Sequence, residues 1–310
     1  MYRLKKHHGD KLFKGIAYLF GFSVVFLLFL MIYEMYSGSK LSIAEFGWDF
    51  IFNSKWDPVE EKFGAWPFIY GTVVSSIIAL LIATPISVGI GIYLVEIAPK
   101  WVRSSVGFMI ELLAAIPSIV YGLWGIFILA PFIRKYIAPI FINTLGEFIP
   151  YFSGPAYGVS LFTAGVILAI MIIPTIASIS KEVIATVPNT QREAALALGA
   201  TKWEMIRTAV LTYARTGILG GMIIGLGRAI GETMAVTMVI GNRPSIPKSI
   251  FDPAYTMASV IANEFTEASS NLYLSALIEI GLVLFGVTLL INIIARLLVW
   301  SVSKGTQEVK

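Results

Sequence analysis

Apolar residues along this chain run in long stretches, with few of the polar positions that mark the exposed side of an amphipathic segment. A helix needs roughly 20 consecutive apolar residues to cross the hydrocarbon of a membrane. Stretches of that length predict six transmembrane helices, at residues 15–36, 66–97, 104–133, 156–179, 217–240 and 272–300. The predicted fold class is therefore all-α, a polytopic bundle of membrane helices.

The same pattern divides the chain into four parts. These are an N-terminal tail at 1–14, the first helix with an outer loop at 15–65, a core of five helices at 66–300, and a C-terminal tail at 301–310. The core includes one long polar loop at 181–215, and Pro85 and Pro117 are predicted to bend its first two helices. The helix at 15–36 is expected to stay uncleaved, because it lacks the small residues of a signal-peptide cleavage site.

Composition supports a membrane protein and adds an orientation. Hydrophobic residues make up 57% of the chain and charged residues 14%, whereas soluble domains carry about 25% charged residues. If both termini are cytoplasmic, the cytoplasmic segments hold 15 of the 23 lysines and arginines and the outer loops hold seven. Cytoplasmic loops of membrane proteins carry such an excess, so we expect both the N-terminus and the C-terminus inside.

The residues that are missing exclude several kinds of chemistry. The chain has no cysteine, which excludes disulfides, thiolate metal sites and a cysteine nucleophile. It has no Gly-Lys dipeptide and so lacks the phosphate-binding loop of P-loop ATPases. We predict no catalytic residue, no metal site and no nucleic-acid binding, and any energy from ATP would come from another polypeptide.

The loop at 181–215 has the pattern of two short helices around a tight turn. Thr190 and Glu193 fit a capping box at the start of an alanine-rich helix at 191–198. Gly199 is expected to end that helix in a left-handed conformation, and a second helix follows from Lys202. The loop is either a well-capped connector or a small-faced surface that docks into the groove of a partner.

Two charged residues, Arg228 and Glu232, interrupt the apolar run at 217–240. Ionisable groups at membrane depth are costly and mark functional sites by default. At about 100° per residue both fall on one glycine-rich face of a helix, opposite its bulky apolar side chains. They either form an ion pair that only neutralises itself, or they line a transport path. In that path Arg228 attracts an oxyanion, and Glu232 holds Arg228 or weakens anion binding.

Three other carboxylates lie in or beside the apolar runs. Glu279 is a candidate residue of the same path and a possible second partner for Arg228. Glu111 is a further candidate for a buried carboxylate, whereas Glu96 at a helix end is expected at the membrane interface.

The loop resembles the EAA loop of ABC importer permeases, through Glu193-Ala194-Ala195 followed after three residues by Gly199-Ala200. In that family the loop inserts into a cleft of a cytoplasmic ATPase and transmits its motion, so the resemblance assigns ATPase coupling to these residues. Ala209 and Thr212 depart from the family pattern, which has a branched aliphatic residue and a proline there. The missing proline removes a reason to expect a kink after the loop and leaves the docking role in place.

A second resemblance covers about residues 64–298 and concerns the permeases of the phosphate (Pst) ABC importer, PstC type. It rests on GRAIGETMAV at 227–236 with Gly-Asn at 241–242, on PSIVYGLWG at 117–125, and on the stretch from 251 through 264. It implies the type I ABC importer permease (MetI-like) fold. It also implies a subunit that forms half of a translocation pathway for inorganic phosphate.

The resemblance further implies an assembly in the cytoplasmic (inner) membrane of a prokaryote. Its members would be a PstA-like permease as heterodimer partner, a PstB-like ATPase dimer that binds ATP and Mg, and a PstS-like extracytoplasmic phosphate-binding protein, with membrane lipid around the helices. This chain itself is expected to hold no cofactor. The outer loops at 37–65, 131–155 and 241–270 would supply the surface for the binding protein.

Two alternatives stay open at this point. The first is an ABC importer permease for another oxyanion, namely phosphonate, sulfate or molybdate, which an EAA-type loop does not separate from phosphate. The second and less favoured is a secondary anion carrier that works alone. The docking loop argues against it, as does the lack of a visible inverted repeat.

Overall fold

The computed structural model describes residues 8–307, with the side chains of residues 11–301. The far ends of the two predicted tails, residues 1–7 and 308–310, lie outside the described residues. So do the side chains of Arg3, Lys5, Lys6, Lys304 and Lys310, which belong to the charge count given above.

The described residues are helical, and the strand-like pairings among them are two isolated bridges, so the predicted all-α class is confirmed. In chain order the helices are α1 (His8–Gly38), α2 (Lys40–Phe46), α3 (Asp49–Phe52), α4 (Trp66–Ile92), α5 (Lys100–Ala115), α6 (Ser118–Trp124), α7 (Ala130–Phe132), α8 (Ala138–Thr144), α9 (Leu161–Ala185), α10 (Asn189–Ala197), α11 (Lys202–Met205), α12 (Leu211–Ile230), α13 (Met234–Val239), α14 (Met257–Glu264) and α15 (Asn271–Gln307). Single π-helical turns extend α4 and join α6 to α7, α7 to α8 and α11 to α12, at Tyr93–Ile97, Gly125–Leu129, Ile133–Ile137 and Ile206–Val210. A short 3-10 turn lies at Pro150–Phe152.

Six helices of the described chain are long and apolar enough to cross a membrane, as predicted. They run over Lys11–Gly38, Trp66–Ile97, Ser118–Thr144, Leu161–Ala185, Lys202–Ile230 and Asn271–Ser301. The first, second and sixth agree with the predicted stretches, and the fourth is shifted toward the C-terminus. The third and fifth differ in kind, because each prediction runs across a break in the helix.

The third predicted helix, 104–133, is wrong because it joins two separate elements. α5 ends before Ile116, which is extended (φ −66°, ψ 129°), and the next helix begins after Pro117. A proline ring clashes with helical backbone at the preceding residue, so the chain breaks here instead of bending. The membrane span is Ser118–Thr144. Glu111 therefore lies on α5, outside that span, and it is exposed where a buried carboxylate was expected.

The fifth predicted helix, 217–240, is also interrupted. α12 ends before residues 231–233, which are not helical, and α13 follows them. The Glu232 carboxylate accepts the Ala235 backbone N–H at 3.3 Å. A carboxylate at the start of a helix satisfies a donor that has no partner within the helix. Glu232 is consequently not on the glycine face of α12, where the helical periodicity places it.

Two prolines lie inside long helices without ending them. α4 remains helical on both sides of Pro85, and α9 does so on both sides of Pro174. Each proline leaves the carbonyl four residues earlier without its helical partner. At the level of these prolines the Ser87 hydroxyl donates to the Ile173 carbonyl at 3.1 Å, which links α4 to α9. The bend at Pro85 stays a prediction.

The central helix of the bundle is α9, which α4 and α12 flank. Its most apolar window is 61% buried within the chain, whereas those of α1 and α15 are 0% buried, so these two helices are peripheral. Glycines bring α12 close to α9, since a Cβ on Gly221 or Gly225 would lie 3.0 Å or 2.8 Å from an isoleucine of α9. The close approach expected on the glycine face is therefore found.

The two ends of the bundle differ. The end called here the loop end carries the end of α4, the start of α5 and residues 186–201. The opposite end carries residues 39–65 and 241–270, where aromatic side chains surround the buried Glu264. This carboxylate accepts hydrogen bonds from Trp56 Nε1 at 2.8 Å and from the Tyr273 hydroxyl at 2.6 Å. The opposite end is thereby tied together across three segments of the chain.

Candidate functional site

The turn in the loop between α9 and α12 has the predicted conformation. The predicted side-chain cap of the first helix in this loop is absent. α10 begins after Pro188, with no side-chain cap, so Thr190 lies inside the first turn and the predicted Thr190–Glu193 capping box is wrong. Gly199 has φ +85°, the left-handed conformation expected of it.

The capping box of this loop lies at the second helix instead. Thr201 Oγ1 accepts the Glu204 backbone N–H at 3.3 Å, and Glu204 Oε2 accepts the Thr201 backbone N–H at 2.7 Å. The helix begins at Lys202, as predicted. Because the turn at Gly199 is followed directly by this reciprocal cap, the direction of the chain from α10 into α11 is set by local bonds.

A buried ion pair, which the sequence analysis missed, holds the loop to the membrane helices. Arg192 Nη2 lies 2.8 Å from Glu96 Oε1, and the two side chains are 15% and 7% exposed. Arg192 also donates to the Ile184 carbonyl at 3.0 Å and to the Val187 carbonyl. The Ile184 carbonyl belongs to the last turn of α9, and Val187 lies two residues beyond the end of this helix. Arg192 thus joins α10 to the ends of both α4 and α9.

One signal in the sequence points toward this pair. Glu96 ends a long apolar run, and an acidic residue at that depth needs a partner. The partner is 96 positions away along the chain, and no local spacing connects the two. Glu96 lies at a helix end, as expected, but it is buried and paired.

The outer side of the loop exposes apolar and small residues. Glu193 and Ala194 are exposed, as is Gly199, where a Cβ would meet nothing within 4 Å. Large apolar side chains lie beside them in solvent: Leu196 is 47% exposed, Leu198 89% and Trp203 62%. Ala195, on the inner side, packs against the buried cluster beneath α10, and Ala200 is half-buried. Several large apolar side chains exposed on one short loop are typical of an interaction site.

The second candidate region is the break after α12, with Arg228 just before it. Arg228 is half-buried and faces α9, where its Nη1 donates to Thr175 Oγ1 at 3.3 Å. This is the one hydrogen bond of the guanidinium among the described residues, although an arginine has five N–H donors. A Cβ on Gly227, the residue before Arg228, would meet nothing within 4 Å.

The predicted pairing of Arg228 with Glu232 is absent from the described chain. The Glu232 carboxylate serves as an acceptor for the backbone of α13, and no ion pair joins it to Arg228 within 4 Å. A self-neutralising i,i+4 pair therefore does not explain why the two charges are present. Most of the N–H donors of the Arg228 guanidinium have no hydrogen-bond partner among the described residues.

Glu279 is not brought to this region. It lies on α15, where it lines a cavity with Tyr36 and Trp48, and no described contact joins it to Arg228. This side of α15 faces α1 and α2, whereas Arg228 faces α9. The predicted role of Glu279 as a second partner for Arg228 is therefore wrong.

Comparison with known proteins identifies the family of this arrangement. The model of the family described as "Binding-protein-dependent transport system inner membrane component" matches residues 69–304. A phosphate transport system permease protein PstC from Pasteurella multocida (strain Pm70) is 47% identical over 305 residues, which cover 97% of this chain and 95% of that protein. A protein of the same name from Mesorhizobium japonicum is 46% identical over 301 residues, with 96% and 92% covered.

Solved structures agree on the fold. A bacterial alginate ABC transporter in complex with an alginate-bound periplasmic protein matches with a TM-score of 0.59 and 17% identity, over 94% of this chain and 96% of that chain. The inward-facing methionine ABC transporter MetNI matches with a TM-score of 0.51 and 17% identity, over 77% and 94%. At such identities the likeness concerns the fold, which is the one the sequence predicts.

Proposed function

Since the chain belongs to the family of binding-protein-dependent transport system inner membrane components, we propose that it is the PstC-type permease subunit of an ATP-driven importer of inorganic phosphate. It is a multi-pass inner-membrane protein and a transport subunit, not an enzyme. The observation that carries the phosphate assignment is near-full-length identity of 46–47% with relatives named as phosphate permeases. The alternatives of another oxyanion or a secondary carrier are not favoured.

Arg228 is the residue we assign to the anion. A guanidinium matches the planar edge of a phosphate with two N–H donors, and it stays charged at any physiological pH. Its single contact with the neutral Thr175 hydroxyl leaves those donors available. Binding must remain weak enough for release, and the Glu232 carboxylate in the adjacent break supplies repulsion toward an anion.

The loop end is the part we assign to ATPase coupling. Glu193, Ala194 and Gly199 form its exposed face, beside Leu198 and Trp203. Docking of a cytoplasmic ATPase dimer of the PstB kind against this face would bury the apolar side chains. ATP and Mg would bind to that partner. A push on α10 would reach α4 through the Arg192–Glu96 pair and α9 through the same guanidinium.

The remaining partners follow from the same assignment. A PstA-like permease would complete the pathway as a heterodimer, and a PstS-like protein would deliver phosphate to the opposite end. A solved structural neighbour was captured with a periplasmic protein, which supports a binding protein in this fold. The loop end would be cytoplasmic, with both termini inside, because lysine and arginine are enriched there.

A transport assay tests the assignment. Cells that lack their own phosphate importer would receive this chain with its three partners, and uptake of radiolabelled phosphate would be measured against unlabelled competitors. We expect competition by phosphate and by its isostere arsenate, and none by sulfate or molybdate. Uptake that sulfate suppresses, or that continues when the ATPase carries an inactive phosphate-binding loop, would contradict the proposal.

A further inference from the structure

A cavity of ≈ 540 Å³ opens beside the last helix, away from the loop end and from Arg228. Its walls come from α1, the short helices α2 and α3, the start of α4, and α15. The lining is apolar, with Ile69 and Leu282 among its members. Glu279 is the only acidic or basic side chain among the described residues of this wall.

The carboxyl of Glu279 is buried and incompletely hydrogen-bonded. Only 6% of the residue is exposed, and its buried Oε2 has no partner among the described residues. The Ser42 hydroxyl lies beside this carboxyl and can donate one hydrogen bond to it. An ionised carboxyl offers about four acceptor sites, and nearly all buried polar side-chain atoms in proteins are hydrogen-bonded. A ligand that brings further donors into the cavity would complete the hydrogen bonding of Glu279.

The position of the cavity identifies the kind of ligand. Glu279 is in the third turn of α15, in the half of the helix farthest from the loop end. Tyr36 and Trp48 also line the cavity, and Trp48 is 82% exposed. Tyrosine and tryptophan are enriched where a membrane meets water. The cavity therefore lies at the headgroup level of one leaflet, open toward lipid along α1, whose apolar window is not buried by this chain.

We propose that this cavity binds a phospholipid whose headgroup carries a primary ammonium, such as phosphatidylethanolamine. The ammonium donates hydrogen bonds to the Glu279 carboxylate, and an acyl chain lies along Leu282, Val283 and Leu290 on α15. The wall has no lysine or arginine to attract an anionic headgroup, and it has one carboxylate that needs a cation. A quaternary ammonium lacks the N–H donors that the remaining acceptor sites of the carboxylate require.

Native mass spectrometry of the assembled transporter tests this proposal. The complex would be equilibrated with mixed micelles that contain equal amounts of phosphatidylethanolamine, phosphatidylglycerol and phosphatidylcholine, and retained lipids would be counted. We expect Glu279→Gln to lower retention of phosphatidylethanolamine by about tenfold, the usual size of a lost charge-assisted hydrogen bond. Glu45→Gln is the matched control, since Glu45 is an exposed carboxylate on α2.

A second variant separates the cavity from the carboxylate. A Cβ on Gly286 would meet nothing within 4 Å, and Gly286 lines the cavity. Gly286→Leu should therefore fill the space and lower phosphatidylethanolamine retention with Glu279 intact, even if Glu279→Gln fails to assemble. Equal retention in the wild-type protein and Gly286→Leu would overturn the proposal, as would a wild-type preference for phosphatidylglycerol or phosphatidylcholine.

Discussion

The loop at residues 186–201 and the break at residues 231–233 both interrupt membrane helices, yet they hold their arginines in opposite ways. Arg192 is bound to a buried carboxylate and to the Ile184 carbonyl of α9. Arg228 donates one long hydrogen bond to a neutral hydroxyl among the described residues. The same side chain is thus fixed in one region and left available in the other.

This difference matches the work that each region has to do. A loop that transmits movement between polypeptides must keep its conformation while force acts on it. A polar network in which every group is hydrogen-bonded provides that rigidity. A residue that takes up and releases an anion must have free donors and weak local bonds. Hydrogen-bond satisfaction therefore separates Arg192, for which we propose a role in coupling, from Arg228, for which we propose a role in anion binding.

The largest effect is expected at Arg192. Arg192→Leu leaves the Glu96 carboxylate buried without a partner, which costs about 3–5 kcal/mol when one member of a buried pair is removed. We expect α10 to detach from α4 and α9, so that the ATPase no longer co-purifies with the permease and phosphate uptake is lost. Co-purification with a tagged permease measures this directly.

A double variant serves as the control for that experiment. Replacing both members, with Glu96→Gln and Arg192→Gln, removes both charges and leaves two amides that can bond to each other. Partner retention should recover in part. If the single Arg192→Leu variant holds its ATPase as firmly as the wild type does, the ion pair has no role in positioning the loop.

The next largest effect is expected at Arg228. Arg228→Gln removes charge-assisted hydrogen bonds to the anion, each of about 1.5–3 kcal/mol, so phosphate uptake should fall by about 10- to 150-fold. The complex should still assemble, because Arg228 makes only one hydrogen bond among the described residues. Uptake of radiolabelled phosphate, normalised to the amount of complex, provides the measurement. Normal uptake would remove Arg228 from the path.

A smaller effect is expected at the turn of the loop. Gly199→Ala places a Cβ in the left-handed conformation, at a cost of about 1–2 kcal/mol. We expect weaker ATPase binding, by about 5- to 30-fold, in a titration of the permease with the ATPase. Gly220→Ala is the control, because that glycine is helical and its Cβ would meet open space. Equal behaviour of the two variants would show that the turn geometry is not needed for docking.

The smallest effect is expected at Thr175. Thr175→Val removes the hydroxyl that Arg228 contacts, which is worth about 0.5–1.5 kcal/mol. Uptake should change by about 10-fold at most, mainly through the phosphate concentration that gives half-maximal rate. A loss as large as that of Arg228→Gln would mean that Arg228 is held as firmly as Arg192, and the contrast between the two regions would disappear.

Hydropathy predicts the number of membrane spans because the ability of a segment to cross a membrane depends on its length and apolar content. Both properties can be read from the segment alone. It does not place the breaks at Pro117 and at residues 231–233, since the flanking residues on both sides are equally apolar. Pro117 carries a readable stop signal, namely the restriction it imposes on Ile116. The signal for the break before α13 is weaker. It is the carboxylate of Glu232, which can accept a backbone N–H at the start of the next helix.

The sites were predictable to the extent that their chemistry is local. Gly199 takes its left-handed conformation for reasons within one turn of the chain. The Arg192–Glu96 pair and the cavity at Glu279 depend on which helices become neighbours, and no spacing along the chain encodes that. The predicted pairing of Glu279 with Arg228 is wrong for the same reason. Whether charged residues on two different helices meet depends on the helix faces that carry them, and the sequence does not give those faces.

One measurement tests the central claim most directly, namely phosphate uptake and ATPase retention determined together in proteoliposomes that contain either Arg228→Gln or Arg192→Leu. Our account predicts that Arg228→Gln keeps its ATPase and loses uptake, whereas Arg192→Leu loses both. Wild-type uptake by Arg228→Gln, or a firmly retained ATPase in Arg192→Leu, would contradict the division of labour between the helix break and the loop.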